Sequence, residues 1–305
     1  MSTNIETKFV TLANGLAFEV DQCGAGDVLV LCLHGFPESK FSWRFQLPML
    51  AASGYRVWAP NLRGYGQSAR PKGVKNYRVD RLIEDVEGLI AASGARETIL
   101  LSHDWGGIIA WQCAIRKIRT LSKLIVCNCP HPQRFRDVYE KAKDQRKRSW
   151  YVKFFQIPWL PEFLLRRKNA APIRRAFVDM AIDKSRFPEE VTDHYRANAL
   201  IPGALTAMLN YYRAIVRYDR KARENAPVNV DVPTLLIWGE ADSALSKATA
   251  LGTDAYVKQL TTRFIPDVSH WVQQEAPETV NDMIAAWLAG KPVPEANSPR
   301  LVAGA

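Results

Sequence analysis

Thr98-Ile99-Leu100-Leu101-Ser102-His103-Asp104-Trp105-Gly106-Gly107-Ile108-Ile109-Ala110-Trp111 is the stretch on which the fold turns. Its first four residues have the apolar and β-branched character of a short buried strand. From Gly106 onward the apolar run starts a helix. Between the two lies small-x-Asp-x-small, with Ser102 and Gly106 flanking the centre. A sharp strand-to-helix turn brings two backbones close together and tolerates only small side chains there. Such a turn lifts Asp104 above the sheet and sets it at a helix N-terminus, where free N–H groups and the helix dipole favour an ionised carboxylate. A serine on this turn would attack acyl carbonyls. A carboxylate needs no base to activate it and suits displacement at a saturated carbon, leaving an ester on the enzyme.

Working outward, other apolar runs repeat the strand pattern: Val28-Leu29-Val30-Leu31-Cys32-Leu33, Arg56-Val57-Trp58-Ala59-Pro60, Leu124-Ile125-Val126-Cys127, Thr234-Leu235-Leu236-Ile237-Trp238 and Arg263-Phe264-Ile265-Pro266. Helical patterns fall between them, around 80–93, 105–117 and 275–288. Continuous apolar strands spaced by helices predict a doubly wound, mostly parallel α/β sheet covered on both faces. Residues 134–223 break this rhythm. They are charged, rich in aromatic residues and without a strand run, and Pro158, Pro161, Pro172, Pro188 and Pro202 divide them into short helices. The expected organisation is a core of 1–133 and 224–293, an all-helical cap inserted at 134–223, and a loosely ordered tail at 294–305.

The 305 residues, 47% hydrophobic and 24% charged, suffice for one large α/β domain with an insertion. No apolar run approaches the length of a membrane span, and the N-terminus lacks the basic and apolar segments of a secretory signal. Together with five cysteines read as reduced, buried thiols (Cys23, Cys32, Cys113, Cys127, Cys129), this points to a cytoplasmic protein. Cys127 and Cys129 would give a metal only two ligands, so no metal is expected. The net charge is +10, and about half of all Lys and Arg lie between about 134 and 223, in runs such as Lys141–Arg148, Arg166-Arg167-Lys168 and Arg220-Lys221-Ala222-Arg223. No nucleic-acid motif accompanies that charge, so it is read as a solvated helical surface and no nucleic-acid partner is expected.

Partners for Asp104 follow along the chain. His270, after the last strand, is the expected general base. Asp242, just past the strand ending at Trp238, is the expected acid that orients it; Glu240 competes but follows the strand too closely to reach across. The order nucleophile, acid, histidine is that of hydrolases with this turn. The loop His34-Gly35-Phe36-Pro37 ends another strand, and the Phe36 and Trp105 N–H groups are expected to form an oxyanion hole. His34 and His103 are read as structural.

The motifs His34-Gly35-Phe36-Pro37-Glu38 with Ser42-Trp43-Arg44, Asn61-Leu62-Arg63-Gly64-Tyr65-Gly66-Gln67-Ser68, and His103-Asp104-Trp105-Gly106-Gly107 together resemble the epoxide hydrolases of the α/β-hydrolase superfamily, over about residues 8–290. The resemblance implies an α/β-hydrolase fold, an Asp nucleophile, no cofactor and a small apolar epoxide as substrate with water. It also allows a homodimer through the cap. An epoxide leaves as an alkoxide and needs acids at the ring oxygen. The family uses two cap tyrosines. Ser149-Trp150-Tyr151-Val152-Lys153-Phe154-Phe155 resembles the first segment, giving Tyr151, and Leu209-Asn210-Tyr211-Tyr212-Arg213 the second, giving Tyr212, with Tyr211 in reserve. Trp150, Phe154, Phe155 and Trp159 are expected to line the substrate pocket. The alternative is a haloalkane dehalogenase-type hydrolase using the same nucleophile, with Trp105 and Trp150 donating to the halide. Against it stand both tyrosine segments and Asn128, which occupies a position where some dehalogenases carry an acid.

Overall fold

The computed structural model describes residues 4–118, 121–218 and 228–296. Among them eight strands form one sheet: β1 (Glu6–Thr11), β2 (Ala17–Cys23), β3 (Val28–Leu33), β4 (Arg56–Pro60), β5 (Glu97–His103), β6 (Leu121–Cys127), β7 (Thr234–Gly239) and β8 (Leu260–Ile265). Their spatial order is β1-β2-β4-β3-β5-β6-β7-β8. The pairings from β4 through β8 are parallel, while β1 and β2 are antiparallel. The apolar runs explain the parallel part. Leu29, Leu31 and Leu33 enter one buried cluster and Val30 and Cys32 another, and Leu236 and Leu235 divide in the same way. The parallel strands from β4 through β7 are thus buried on both faces, as continuous hydrophobic runs require, while β8 at the edge is only partly buried.

The two N-terminal strands were not read from the sequence. β1 is almost entirely exposed, so it lacks the buried run that marks the others. A signal was present nonetheless: Asn14-Gly15 forms the turn between them, with Gly15 at φ 81°, and Asn-Gly is a strong hairpin signature.

β3 is followed by a crossover to β4 on one side, while β5 lies on its other side. The carboxyl ends of β3 and β5 therefore flank the point where the winding reverses, the place at which open parallel sheets bind ligands. Helix α1 (Gln46–Ala52) and α2 (Val79–Ser93) cover the sheet, and α3 (Trp105–Ile115) runs back from β5.

Between β6 and β7 the described residues are helical throughout: α4 (Pro132–Lys141), α5 (Lys143–Arg148), α6 (Trp150–Phe154), α7 (Leu160–Val178), α8 (Glu189–Leu200) and α9 (Ala204–Arg217), with a short turn of helix at Lys184–Arg186. The prolines act where expected. Pro161 lies in the first turn of α7 and Pro188 caps α8. Pro172 breaks α7: the four residues Arg167 to Ala170 leave helical geometry, because proline cannot donate its N–H and its ring collides with the carbonyl four residues back. The expected boundary at 223/224, the run Arg220-Lys221-Ala222-Arg223 and residues 297–305 of the tail lie outside the described residues. The buried side chains of this helical layer, among them Phe177, Tyr195, Met208 and Tyr211, belong to the same cluster as Leu29 and Leu31. One apolar core therefore runs from the sheet into the helices above it.

Candidate active site

Asp104 sits between β5 and α3 with φ 47° and ψ −118°, a backbone that an ordinary residue rarely adopts. The neighbours that permit the turn are small for steric reasons. A Cβ on Gly106 would strike the Leu33 carbonyl oxygen, one on Gly107 would strike Cys129, and one on Gly35 would strike the Asp104 carboxylate itself. Asp104 Oδ1 accepts the Phe36 N–H at 2.7 Å. The Phe36 loop after β3 and the Asp104 turn after β5 thus meet because their strands are paired in register, Leu33 beside Ser102.

His270 Nε2 lies 3.8 Å from Asp104 Oδ2, longer than a direct hydrogen bond. On the other side of the ring, His270 Nδ1 is 2.7 Å from Asp242 Oδ2. Asp242 is fully enclosed and well satisfied: Oδ1 accepts the Ala244 and Leu245 N–H groups at 2.8 Å each, and Oδ2 accepts Asn128 Nδ2 at 2.8 Å. These donors and the imidazole outweigh burial and hold its carboxyl below the usual range. Glu240, the competing acid, pairs instead with Lys247. Asn128 is a structural clip as well as a donor, since its Oδ1 accepts the Gly239 N–H at 2.8 Å and so ties the end of β6 to that of β7.

Burial alone would drive the His270 imidazole toward neutrality. The Asp242 carboxylate beside it, with Asp104 and Glu38 further off, overcomes that and raises it to about 9. His103 stands under the same loop. Its Nδ1 is 2.7 Å from Glu38 Oε2 and its Nε2 is 2.9 Å from the His270 carbonyl oxygen. Glu38 also accepts the Gly35 N–H and the side-chain amides of Gln273 and Gln274, each at 2.8 Å. His34, which burial lowers to about 4, accepts the Leu62 N–H at 3.0 Å and so ties its loop to the one after β4. Both histidines hold backbone, as structural residues do. Glu38 closes the His34-Gly35-Phe36-Pro37-Glu38 motif, but the motif does not signal this hub of contacts.

Above the sheet, Tyr151 on α6 and Tyr212 on α9 face each other with ring centroids 5.8 Å apart. Tyr212 also meets Phe36 at 5.5 Å, Trp105 at 5.0 Å and Phe155 at 5.0 Å, all edge to face. Burial pushes both phenols well up, and the Asp104 charge adds to the rise in each. Tyr211 points elsewhere: its hydroxyl donates to the Arg63 carbonyl oxygen at 2.8 Å. Arg213 fixes the pair. Its guanidinium binds both oxygens of Glu162, at 2.7 and 3.0 Å, and donates to the Phe155 carbonyl at 2.9 Å, pinning α9 against the segment that follows α6. Of the four residues expected to line the pocket, Phe155 is buried among these rings and Phe154 packs beside it at 5.9 Å. Trp150 and Trp159 are not brought in. Both are largely exposed, because α6 buries none of its residues and Trp159 stands on the turn before α7.

The α/β hydrolase fold family model matches residues 28–277. The chain is 37% identical over 281 residues to "Epoxide hydrolase 4" of Homo sapiens, covering 90% of this chain and 76% of that protein. The chain belongs to the α/β hydrolase fold family, on its epoxide-hydrolase branch. This α/β hydrolase is also 36% identical to "AB hydrolase superfamily protein YfhM" of Bacillus subtilis, over 93% of this chain and 98% of that one. Among solved structures, the Bacillus megaterium epoxide hydrolase in complex with an inhibitor superposes with a TM-score of 0.85 at 29% identity, over 92% of this chain and all of that one. Among the described residues of this hydrolase, no helix is long and apolar enough to cross a membrane.

Proposed function

We propose that this hydrolase opens epoxides to vicinal diols in two steps through an ester on Asp104. In the first, a carboxylate oxygen of Asp104 attacks an epoxide carbon, the carbon–oxygen bond of the ring breaks, and Tyr151 and Tyr212 donate hydrogen bonds to the departing oxygen. In the second, His270, oriented by Asp242, takes a proton from water. The resulting hydroxide attacks the Asp104 carbonyl carbon while the Phe36 and Trp105 N–H groups hold the oxyanion. The ester C–O bond then breaks and its oxygen takes the proton of the new carboxyl group, the first-step alkoxide having taken the proton that His270 sheds on esterification. The diol thus leaves with Asp104 ionised and His270 protonated as at the start.

The observation that carries the reading is the tyrosine pair above Asp104. Two phenols kept protonated by burial and by a carboxylate beneath them are suited to stabilising an alkoxide, which unassisted is a poor leaving group. The electrostatics also favour a division of labour in time. With His270 raised to about 9, the free enzyme carries an imidazolium near neutral pH. Asp242 holds that proton most strongly, but esterification removes the Asp104 charge that also helps to hold it, which shifts His270 toward the neutral imidazole that the second step needs. The dehalogenase alternative loses its second donor, because Trp150 lies largely in solvent.

The test is trapping. His270→Gln, incubated with styrene oxide, should accumulate a mass adduct on the peptide that contains Asp104 while diol formation stops. No adduct in that variant would sink the two-step scheme, and diol formation at the wild-type rate would remove His270 from it.

A further inference from the structure

We propose that the outer face of the helical layer docks on the surface of an anionic lipid bilayer. The face is built by residues 150–163 and the end of α9. The described chain exposes ten large hydrophobic side chains. Four lie in that one segment, Trp150 (62%), Ile157 (42%), Trp159 (73%) and Phe163 (60%), and two more, Val216 and Tyr218, close α9. The two stretches are contiguous, because Arg213 donates to the Ile157 carbonyl oxygen at 3.0 Å and Arg217 to that of Gln156 at 3.5 Å. Soluble proteins scatter such side chains singly; a cluster with a polar rim marks a surface that is covered in use.

What covers it follows from the charge. Residues 145–178 hold nine Lys and Arg and a single acid, Glu162. Glu162 is spent on Arg213. Phe163 and Arg166, three residues apart, share one face of the first turns of α7, and the exposed Trp159 stands on the turn just before them. Arg166, Arg167 and Lys168 are exposed together where α7 breaks. Tryptophan and phenylalanine flanked by lysine and arginine match the boundary between acyl chains and anionic headgroups, which takes the rings and the charges at once. A second copy of the chain fits less well, since a two-fold interface would set this basic face against itself. The proposal does not depend on the catalytic reading: it rests on no residue of the Asp104 site and its readout is binding.

Co-sedimentation of the full chain with large unilamellar vesicles tests it. Binding is expected to vesicles containing phosphatidylglycerol, to weaken with added salt, and to be absent with pure phosphatidylcholine. Arg166→Gln with Arg167→Gln and Lys168→Gln should reduce binding about fivefold per charge, on the order of a hundredfold together. Trp159→Ser with Phe163→Ser should reduce it at least about tenfold. Lys291→Gln, at the far end of the chain, should change it little. Unaltered melting temperatures keep the comparison sound, and the charge variant stands if the aromatic one fails to fold. The proposal is overturned if phosphatidylglycerol vesicles do not bind the protein, if neither surface variant weakens binding, or if the protein is a dimer in dilute solution that Trp159→Ser with Phe163→Ser converts to monomer.

Discussion

Asp104, Phe36, Asp242 and His270 are set by strand ends, whereas Tyr151 and Tyr212 hang from helices, and the two halves are held by different forces. In the lower half, backbone ladders fix the register of β3, β5, β6 and β7, and each side chain is then locked by short polar contacts, as Asp242 is by three donors and an imidazole. In the upper half, α6 is five residues long and buries none of them completely. Tyr151 is positioned by edge-to-face rings and by the Arg213 clip one helix away. A fixed lower half suits a nucleophile and an oxyanion site, where small displacements slow the reaction. An upper half held mainly by apolar packing can change its pocket without disturbing the sheet.

The largest expected effect separates the two halves by chemistry. Tyr151→Phe combined with Tyr212→Phe should lower kcat on an epoxide by about 10²- to 10⁴-fold, the range for losing positioned acids, with the circular dichroism spectrum unchanged. Tyr211→Phe, one residue away, should instead lose about 1 kcal/mol of stability through its bond to Arg63 and keep turnover within a few-fold. A double variant with full turnover would transfer the acid role to other groups.

A smaller effect is expected where the halves are joined. Glu275 is buried. Its Oε1 accepts the Ile182 and Asp183 N–H groups of the helical layer at 2.8 Å each, while Oε2 accepts the Ser269 N–H at 3.1 Å and the Ser269 hydroxyl, next to His270. Glu275→Ala leaves those donors unpaired and should cost about 3 kcal/mol in chemical denaturation. If stability is unchanged, the helical layer is held to the His270 loop by apolar packing alone.

The smallest effect is a titration. His270 stands at about 9, partly because of Asp104. Removing a negative charge disfavours the imidazolium, so Asp104→Asn should move the His270 midpoint down, as followed by NMR of the ring protons. A midpoint that stays or rises would break the proposed timing of the base.

Much of the lower half was legible because its constraints are local. Asp104, its small neighbours and the strand before it lie within ten residues, and steric demands on a tight turn appear directly as residue type. Asp242 and His270 were legible from their places after strand runs. β1 was missed because an exposed edge strand leaves little hydrophobic pattern, and β2 because it buries only Phe18, Val20 and Cys23 and so has no continuous apolar run. Trp150 and Trp159 were misplaced because aromatic content says that a segment has large rings, not which way they face.

The sequence by itself determined the alternation of buried strands and helices, the turn that presents Asp104, and the chain order of its partners, since each follows from side-chain periodicity or from sterics between near neighbours. Only the tertiary structure decided that Tyr212 and not Tyr211 meets Tyr151, that Glu38 links the Phe36 loop to His103, and that Glu275 clips the helical layer to the His270 loop. Those contacts join residues dozens of positions apart. They depend on helix rotation and strand register, which a one-dimensional pattern does not carry.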